Sequence, residues 1–436
     1  MVHEAYRARR YVVAMGIAAT ALLASVPALN IAMDPLGYAK VAGWRPSNPT
    51  ELQLAFASSG AWPVPDGTRE AKILNVRYSA PESVYFGSST VWSYIDSGYA
   101  PLRTSDGRRA FNFGMAGANA WELLTAFEHV VALKPPKRVV VGMEFYMFSA
   151  DKPSSPGFDD LPFAHRPGYQ WNLARFVSRR LLSTDYTYQS AALLLKPLGD
   201  RLADWLAPSV HASAAQDLPK APMSRAEFQQ LMLDNDKIIV TALYPDNGRT
   251  FRFVDDAGWS SLDAIRRMVA LARANHIDLR LYISPNHARS YETIRLLGWW
   301  PQFEAWQRGL AEIVTEDAKA HPDDAPVVLF DFCCYNTITT DVVDQARGEA
   351  AGFRYFADSI HFKTVVGFML MDRLFATEAS RELPADFGVR LGTDNVEAHL
   401  AEIRQRQAAY TVTHPDDLAV VTAALKSLGR RPTPAQ

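Results

Sequence analysis

Three consecutive valines, Val139–Val141, inside the run KRVVVGMEFYMF that begins at Lys137, constrain the fold more than any other stretch. A β-branched run with no polar alternation has no face to offer water, so it belongs at the centre of a sheet covered on both sides. Comparable runs recur at ESVYFG (82–87), IDLRLYISP (277–285) and PVVLFDF (326–332). Between them stand segments with apolar residues at helical spacing: AWELLTAFEHVVAL from Ala120, SSLDAIRRMVALARANH from Ser260, WPQFEAWQRGLAEIVTEDA from Trp300 and FKTVVGFMLMDRLFATEA from Phe362. Ser260 and Ser261 are cap candidates for the second of these. Strands separated by helices predict an α/β fold with a parallel sheet and helices on both faces.

The other constraint is at the start. Arg7, Arg9 and Arg10 precede a charge-free run from Tyr11 to Met33. A bilayer crossing needs about 20 apolar residues, and arginines ahead of it favour a cytoplasmic tip with the remainder exported. Val26-Pro27-Ala28 resembles a cleavage site, but the apolar run continues to Met33, which predicts a retained anchor over 1–33. No second run of this length occurs, so one crossing is expected. Residues 34–75 are rich in Pro, Gly and Ser and read as a spacer. The main domain is expected over 76–388, interrupted by an insertion at about 149–258 that follows a strand and caps the carboxyl edge of the sheet. Residues 389–436 are expected to form two outer helices and a frayed tail.

Composition excludes more than it identifies. With 436 residues, 48% of them hydrophobic, the chain can bury a large core. A net charge of -2 gives no footprint for nucleic acid. The two cysteines, Cys333 and Cys334, are adjacent, and neighbouring Cα atoms lie about 3.8 Å apart, tighter than ordinary disulfide geometry. They are expected to be two small thiols at a strand end. His165, His211, His276 and His321 show no metal-ligand spacing, so neither metal nor cofactor is expected. Trp299, Trp300 and Trp306 suit core packing, with a carbohydrate platform as the other reading.

Chemistry concentrates in short motifs. The first strand ends in Gly87-Ser88-Ser89-Thr90, which presents hydroxyls at the top of the sheet, at the turn into the next helix. Far downstream, Asp358-Ser359-Ile360-His361 offers a base and the carboxylate that orients it. Asp358 is equally a cap candidate for the helix that follows. Gly117, in FNFGMAGANAWELL, sits in a loop before a helix, where a backbone N–H is available to an oxyanion. Asn286 and His287 end another strand, as substrate-binding candidates or as part of a helix start. Asp331 ends the last strand in the same way.

The order Gly-x-Ser, a glycine- and asparagine-bearing loop, a polar strand end, then Asp-x-x-His resembles the SGNH hydrolase superfamily. The double serine and single anchor look most like its envelope branch, which includes alginate-type O-acetyltransferases and the D-alanyl transfer protein of teichoic acid synthesis. The resemblance spans 83–376, outside the insertion. It implies a flavodoxin-like three-layer α/β/α sandwich. It also implies Ser89 as nucleophile, His361 as base, Asp358 as its orienting carboxylate, and an oxyanion hole from the N–H groups of Ser89 and Gly117. Where the family carries an asparagine donor, this chain carries Glu144, and a carboxylate donates only when protonated. Asn119 is then the third donor candidate, with Ser88 and Glu144 as possible substrate contacts. The expected reaction is acyl-ester chemistry on a cell-surface polysaccharide, outside the cytoplasmic membrane, with a membrane-bound acyltransferase as the partner that would supply the acyl group. The residues leave open a non-catalytic glycan-binding or assembly protein that keeps the fold.

Overall fold

The computed structural model describes residues 2–34, 38–41, 69–104, 107, 109–191, 194–195, 224–244, 246, 250–343 and 352–433. Most of the spacer, His211 and the end of the tail lie outside the described residues. In chain order the helices are α1 (Val2–Met33), α2 (Tyr38–Val41), α3 (Arg69–Ser79), α4 (Ser89–Tyr94), α5 (Ala120–Leu133), α6 (Tyr169–Leu181), α7 (Arg225–Leu243), α8 (Ser261–Ala274), α9 (Ala288–Leu296), α10 (Trp300–Ala320), α11 (Thr364–Leu374), α12 (Val396–Thr413) and α13 (Pro415–Ser427). The strands are β1 (Ser83–Gly87), β2 (Phe111–Gly114), β3 (Arg138–Met143), β4 (Asp278–Ile283), β5 (Val328–Asp331) and β6 (Val389–Arg390).

The chain divides into two compact units, Met1–Ser79 with Leu161–Leu218, and Ala80–Asp160 with Pro219–Gln436. In the first, the segment Arg9–Met33 of α1 is long and apolar enough to cross a membrane, with a mean hydropathy of 2.1. Tyr11, Val12, Ile17 and Leu23 stand exposed along it, a surface that water penalises and hydrocarbon accepts. The far end of α1 is tied down by polar contacts. Asn30 Nδ2 donates to the Leu181 carbonyl at 2.6 Å and to Thr187 Oγ1 at 2.9 Å. Tyr186 donates to Asp34 Oδ1 at 2.6 Å.

The second unit is an α/β domain on one six-stranded sheet of order β2-β1-β3-β4-β5-β6. The first five strands are parallel and β6 is an antiparallel edge. Strand order reverses beside β1, the place where such sheets open a crevice at their carboxyl edge. Both faces of the sheet are covered, as the valine run requires. On one face Tyr85, Val140 and Tyr282 pack with Val91 of α4 and Val366 and Leu370 of α11. On the other, Phe86 meets Phe127 of α5, with ring centroids 5.6 Å apart. The residues Phe111–Gly114, which carry little sequence signal, form the parallel edge strand β2. The Trp299–Trp306 cluster is core: Trp306 is fully buried against Phe145 and Phe148.

Cys333 and Cys334 are joined by a disulfide, against the expectation of two thiols. Adjacency does not forbid the bond here because Cys334 adopts a left-handed backbone (φ 76°), turning the chain where the two sulfurs meet.

The helices bearing the motifs come together at Gly367 on α11. A Cβ there would lie 2.2 Å from the Tyr94 carbonyl oxygen at the end of α4, so only glycine permits this approach. Gly367→Ala should force the helices apart and destabilise the protein by about 1–3 kcal/mol, outweighing alanine's helix propensity advantage of about 1 kcal/mol. Thermal unfolding followed by circular dichroism checks this; an unchanged or raised midpoint would contradict it.

Candidate active site

The turn after β1 sorts the two serines. Ser88 is the N-cap of α4: its side chain accepts from Thr90 N–H at 3.1 Å and is completely buried. Ser89, the first helical residue, turns outward. Its Oγ lies 2.7 Å from His361 Nε2, although 272 residues separate them. His361 Nδ1 lies 2.7 Å from Asp358 Oδ2. The tautomer that satisfies both partners has its proton on Nδ1, donated to Asp358, leaving Nε2 to accept from the serine hydroxyl.

A tight hairpin presents this pair. Phe356 bridges Phe362, Ala357 N–H donates to the His361 carbonyl, and Lys363 N–H to the Tyr355 carbonyl. Asp358 Oδ1 accepts the N–H groups of Ile360 and His361, both at 2.8 Å. Asp358 therefore orders its own loop; the cap position of α11 is Lys363. Burial opposes the Asp358 charge, but its bonds to His361 and the two amides hold its pKa below the usual carboxylate value. For His361, burial alone would lower the pKa. The bond and charge of Asp358, with the charge of Glu144 behind them, outweigh it and hold the pKa above its ordinary value.

Glu144 lies just past β3 and is buried. Its Oε1 accepts from Ser88 Oγ at 2.6 Å and Thr90 Oγ1 at 2.9 Å. Burial raises its pKa against those two donors and the charge of His361. Ser88 and Glu144 thus hold each other beneath the turn, and Ser88 is not a surface contact for substrate.

Gly117 has a left-handed backbone, φ 62°, with open space where a Cβ would project. Among the described residues the N–H groups of Ser89 and Gly117 find no acceptor. Asn119 is engaged elsewhere: it caps α5 in a capping box with Glu122, and its Nδ2 donates to the Lys152 carbonyl at 3.0 Å and to Ser154 Oγ at 3.3 Å. His287 corrects the substrate-contact expectation. It is fully buried between Phe353 and Phe356, with Nε2 on the Asp341 carbonyl and Nδ1 accepting Arg289 N–H as the cap of α9. Burial brings its pKa down to about 4, so it is neutral. Asn286 beside it is also buried, its Oδ1 without a hydrogen bond among the described residues. Asp331 is internal, accepting from Gln307 and His399, each at 2.8 Å.

Sequence reasoning missed the support behind the hairpin. Ser359 donates to Asp236 Oδ1 at 2.5 Å, and Asp236 Oδ2 receives Arg289 at 2.6 Å; both charged side chains are 3% exposed. A signal was present: Asp236 stands on the buried stripe Phe228, Met232, Asp236, Val240 of α7, where every other member is apolar.

No protein-family model and no curated protein matches the chain. Among solved structures, a provisionally assigned acylhydrolase from Bacteroides fragilis NCTC 9343 is similar at 14% identity and a TM-score of 0.28, covering 69% of this chain and 88% of that one. A likeness at that level says nothing about activity.

The Asp236 network makes an ordered prediction. Asp236→Ala leaves Arg289 a buried cation whose remaining carboxylate, Asp417, is 3.6 Å away, and should cost about 3–5 kcal/mol. Ser359→Ala removes one hydrogen bond and should cost about 1.5–3 kcal/mol. Thermal unfolding of the two variants gives the ranking; the reverse order would remove Asp236 from this role.

Proposed function

We propose that the chain is a membrane-anchored serine acyl-ester enzyme of SGNH type, acting outside the cytoplasmic membrane on an O-acylated cell-surface polysaccharide. One observation carries the reading: Ser89, His361 and Asp358 form a continuous relay with both links at 2.7 Å. Ser89 Oγ attacks the acyl carbonyl carbon as its proton passes to His361 Nε2. Asp358 holds the ring and stabilises the imidazolium. The N–H groups of Ser89 and Gly117 receive the oxyanion. Collapse expels the alcohol, which takes the proton from His361 and leaves Ser89 acylated. The second half runs in reverse: His361 deprotonates a sugar hydroxyl or water, which takes the acyl group and restores the serine.

An alkyl fluorophosphonate should label the wild-type chain. Ser89→Ala should abolish labelling in a protein that remains folded. Ser88→Ala should instead lower stability, because it removes the α4 cap and a donor to Glu144. A folded wild-type protein that stays unlabelled would leave the non-catalytic assembly reading in place.

The pH profile follows from the sign of the His361 shift. Only neutral imidazole can take the serine proton, so labelling should rise with pH through a midpoint above 6.5, the ordinary histidine value. Glu144→Gln should move that midpoint down, because the Glu144 charge helps hold the imidazolium. A midpoint indifferent to Glu144→Gln would mean that Glu144 is already protonated in this range.

A further inference from the structure

A cavity of about 360 Å³ lies in the α/β unit, walled by Asn119, Trp121, Trp259, Asp255, Lys152 and Ser154. That is the lower end of the range for small-ligand sites, about 300–1,000 Å³. Asp255 and Trp259, ahead of α8, line one part of it, and two further segments, each tied to the turn that carries Ser89, line the rest. One is the β2–α5 loop, which carries Gly117 and ends at the cap Asn119. The other is the segment after β3, which begins at Glu144 and reaches Ser154. These loops are locked together: Asn119 Nδ2 binds the Lys152 carbonyl and Ser154 Oγ, while Glu122 Oε1 accepts Ser155 N–H at 2.8 Å.

The indoles of Trp121 and Trp259 meet edge to face, centroids 5.8 Å apart and planes at 86°. Trp121 is 38% exposed in the first turn of α5, so its ring does not fill core. Trp259 is held by a closed turn: Asp255 Oδ1 accepts the N–H groups of Ala257 and Trp259, both at 2.9 Å, and Val254 bridges Ser260. Among the described residues Asp255 Oδ2 takes no hydrogen bond. Two partly open indoles beside a carboxylate oxygen and a hydroxyl suit a ligand with an apolar C–H face and a ring of hydroxyls; the Lys152 ammonium is engaged by the Ala242 carbonyl at 3.4 Å. A pyranose has both: its C–H face meets the negative face of an indole, and its hydroxyls take the polar groups.

We infer that this cavity is a sugar subsite that receives one pyranose residue of the polysaccharide whose ester is exchanged at Ser89. The inference rests on the acyl-ester reading for its purpose, but binding can be measured without it. The full chain carrying Ser89→Ala is placed in a detergent lacking sugar headgroups and titrated with cellohexaose, chitohexaose and a mannuronate oligomer. Saturation-transfer NMR on the oligosaccharide is the readout. At least one probe should bind saturably. Trp121→Ala and Trp259→Ala should each weaken that binding about tenfold, or about 1.4 kcal/mol. Trp171→Ala, an indole 72% exposed in the other unit, should not. Trp121, on a helix surface, can be truncated without opening the core, so a fold lost in Trp259→Ala leaves the Trp121 result decisive. No saturable binding of any probe, or binding unchanged in a folded Trp121→Ala, overturns the subsite. Fluorophosphonate labelling of the wild type, run alongside, separates the two ideas: labelling without sugar binding sinks only the subsite, and sugar binding without labelling sinks only the enzyme reading.

Discussion

The close approach of α4 and α11 at Gly367 is the contact on which the site depends. Ser89 opens α4 and His361 stands three residues before α11, so the separation of these two helices sets the separation of hydroxyl and imidazole. Both lie on one face of the sheet, packed over Tyr85, Val140 and Tyr282. Chain segments 272 residues apart are thereby brought to a hydrogen bond of 2.7 Å. The hairpin and Asp236 then refine the position that the helices have set.

The tetrapeptide Gly87-Ser88-Ser89-Thr90 shows how a helix start assigns different roles to similar side chains. A cap residue folds its hydroxyl back onto the backbone, whereas the first helical residue points its hydroxyl away. Ser88 and Thr90 turn inward to one oxygen of Glu144, and Ser89 faces His361. A buried carboxylate beneath this turn serves two purposes. It satisfies two buried hydroxyls, and its charge favours the protonated form of His361.

Much of this was legible in the sequence because the signals are local. β1, β3, β4 and β5 are apolar runs bounded by turn residues, and the helices between them keep their period. Asp358 and His361 meet within one loop, because three residues suffice to close it. What was illegible depends on distant partners. β2 is four residues and gains its pairing only from β1; β6 is two. Asn286 and His287 looked available at a strand end, but Phe353 and Phe356, which cover His287, come from far downstream. Asn119 has a donor in the right neighbourhood, yet Lys152 and Ser154 claim it. The role of Asp236 requires knowing that α7 returns to the hairpin. The cysteine pair failed for another reason: the rule of thumb assumed an ordinary backbone, and Cys334 does not have one.

The Cys333–Cys334 bond has an unusual thermodynamic character. A cross-link stabilises a fold chiefly by removing freedom from the unfolded chain, and the amount grows with the length of chain enclosed. Two neighbours enclose almost nothing, so this bond barely shrinks the denatured ensemble. Its influence is confined to the turn it spans, where the ring limits the torsions of Cys334 and fixes the direction in which the chain leaves β5 toward Tyr335. It acts as a local stiffener of one corner, and the cohesion of the domain is left to the sheet and the helices that cover it.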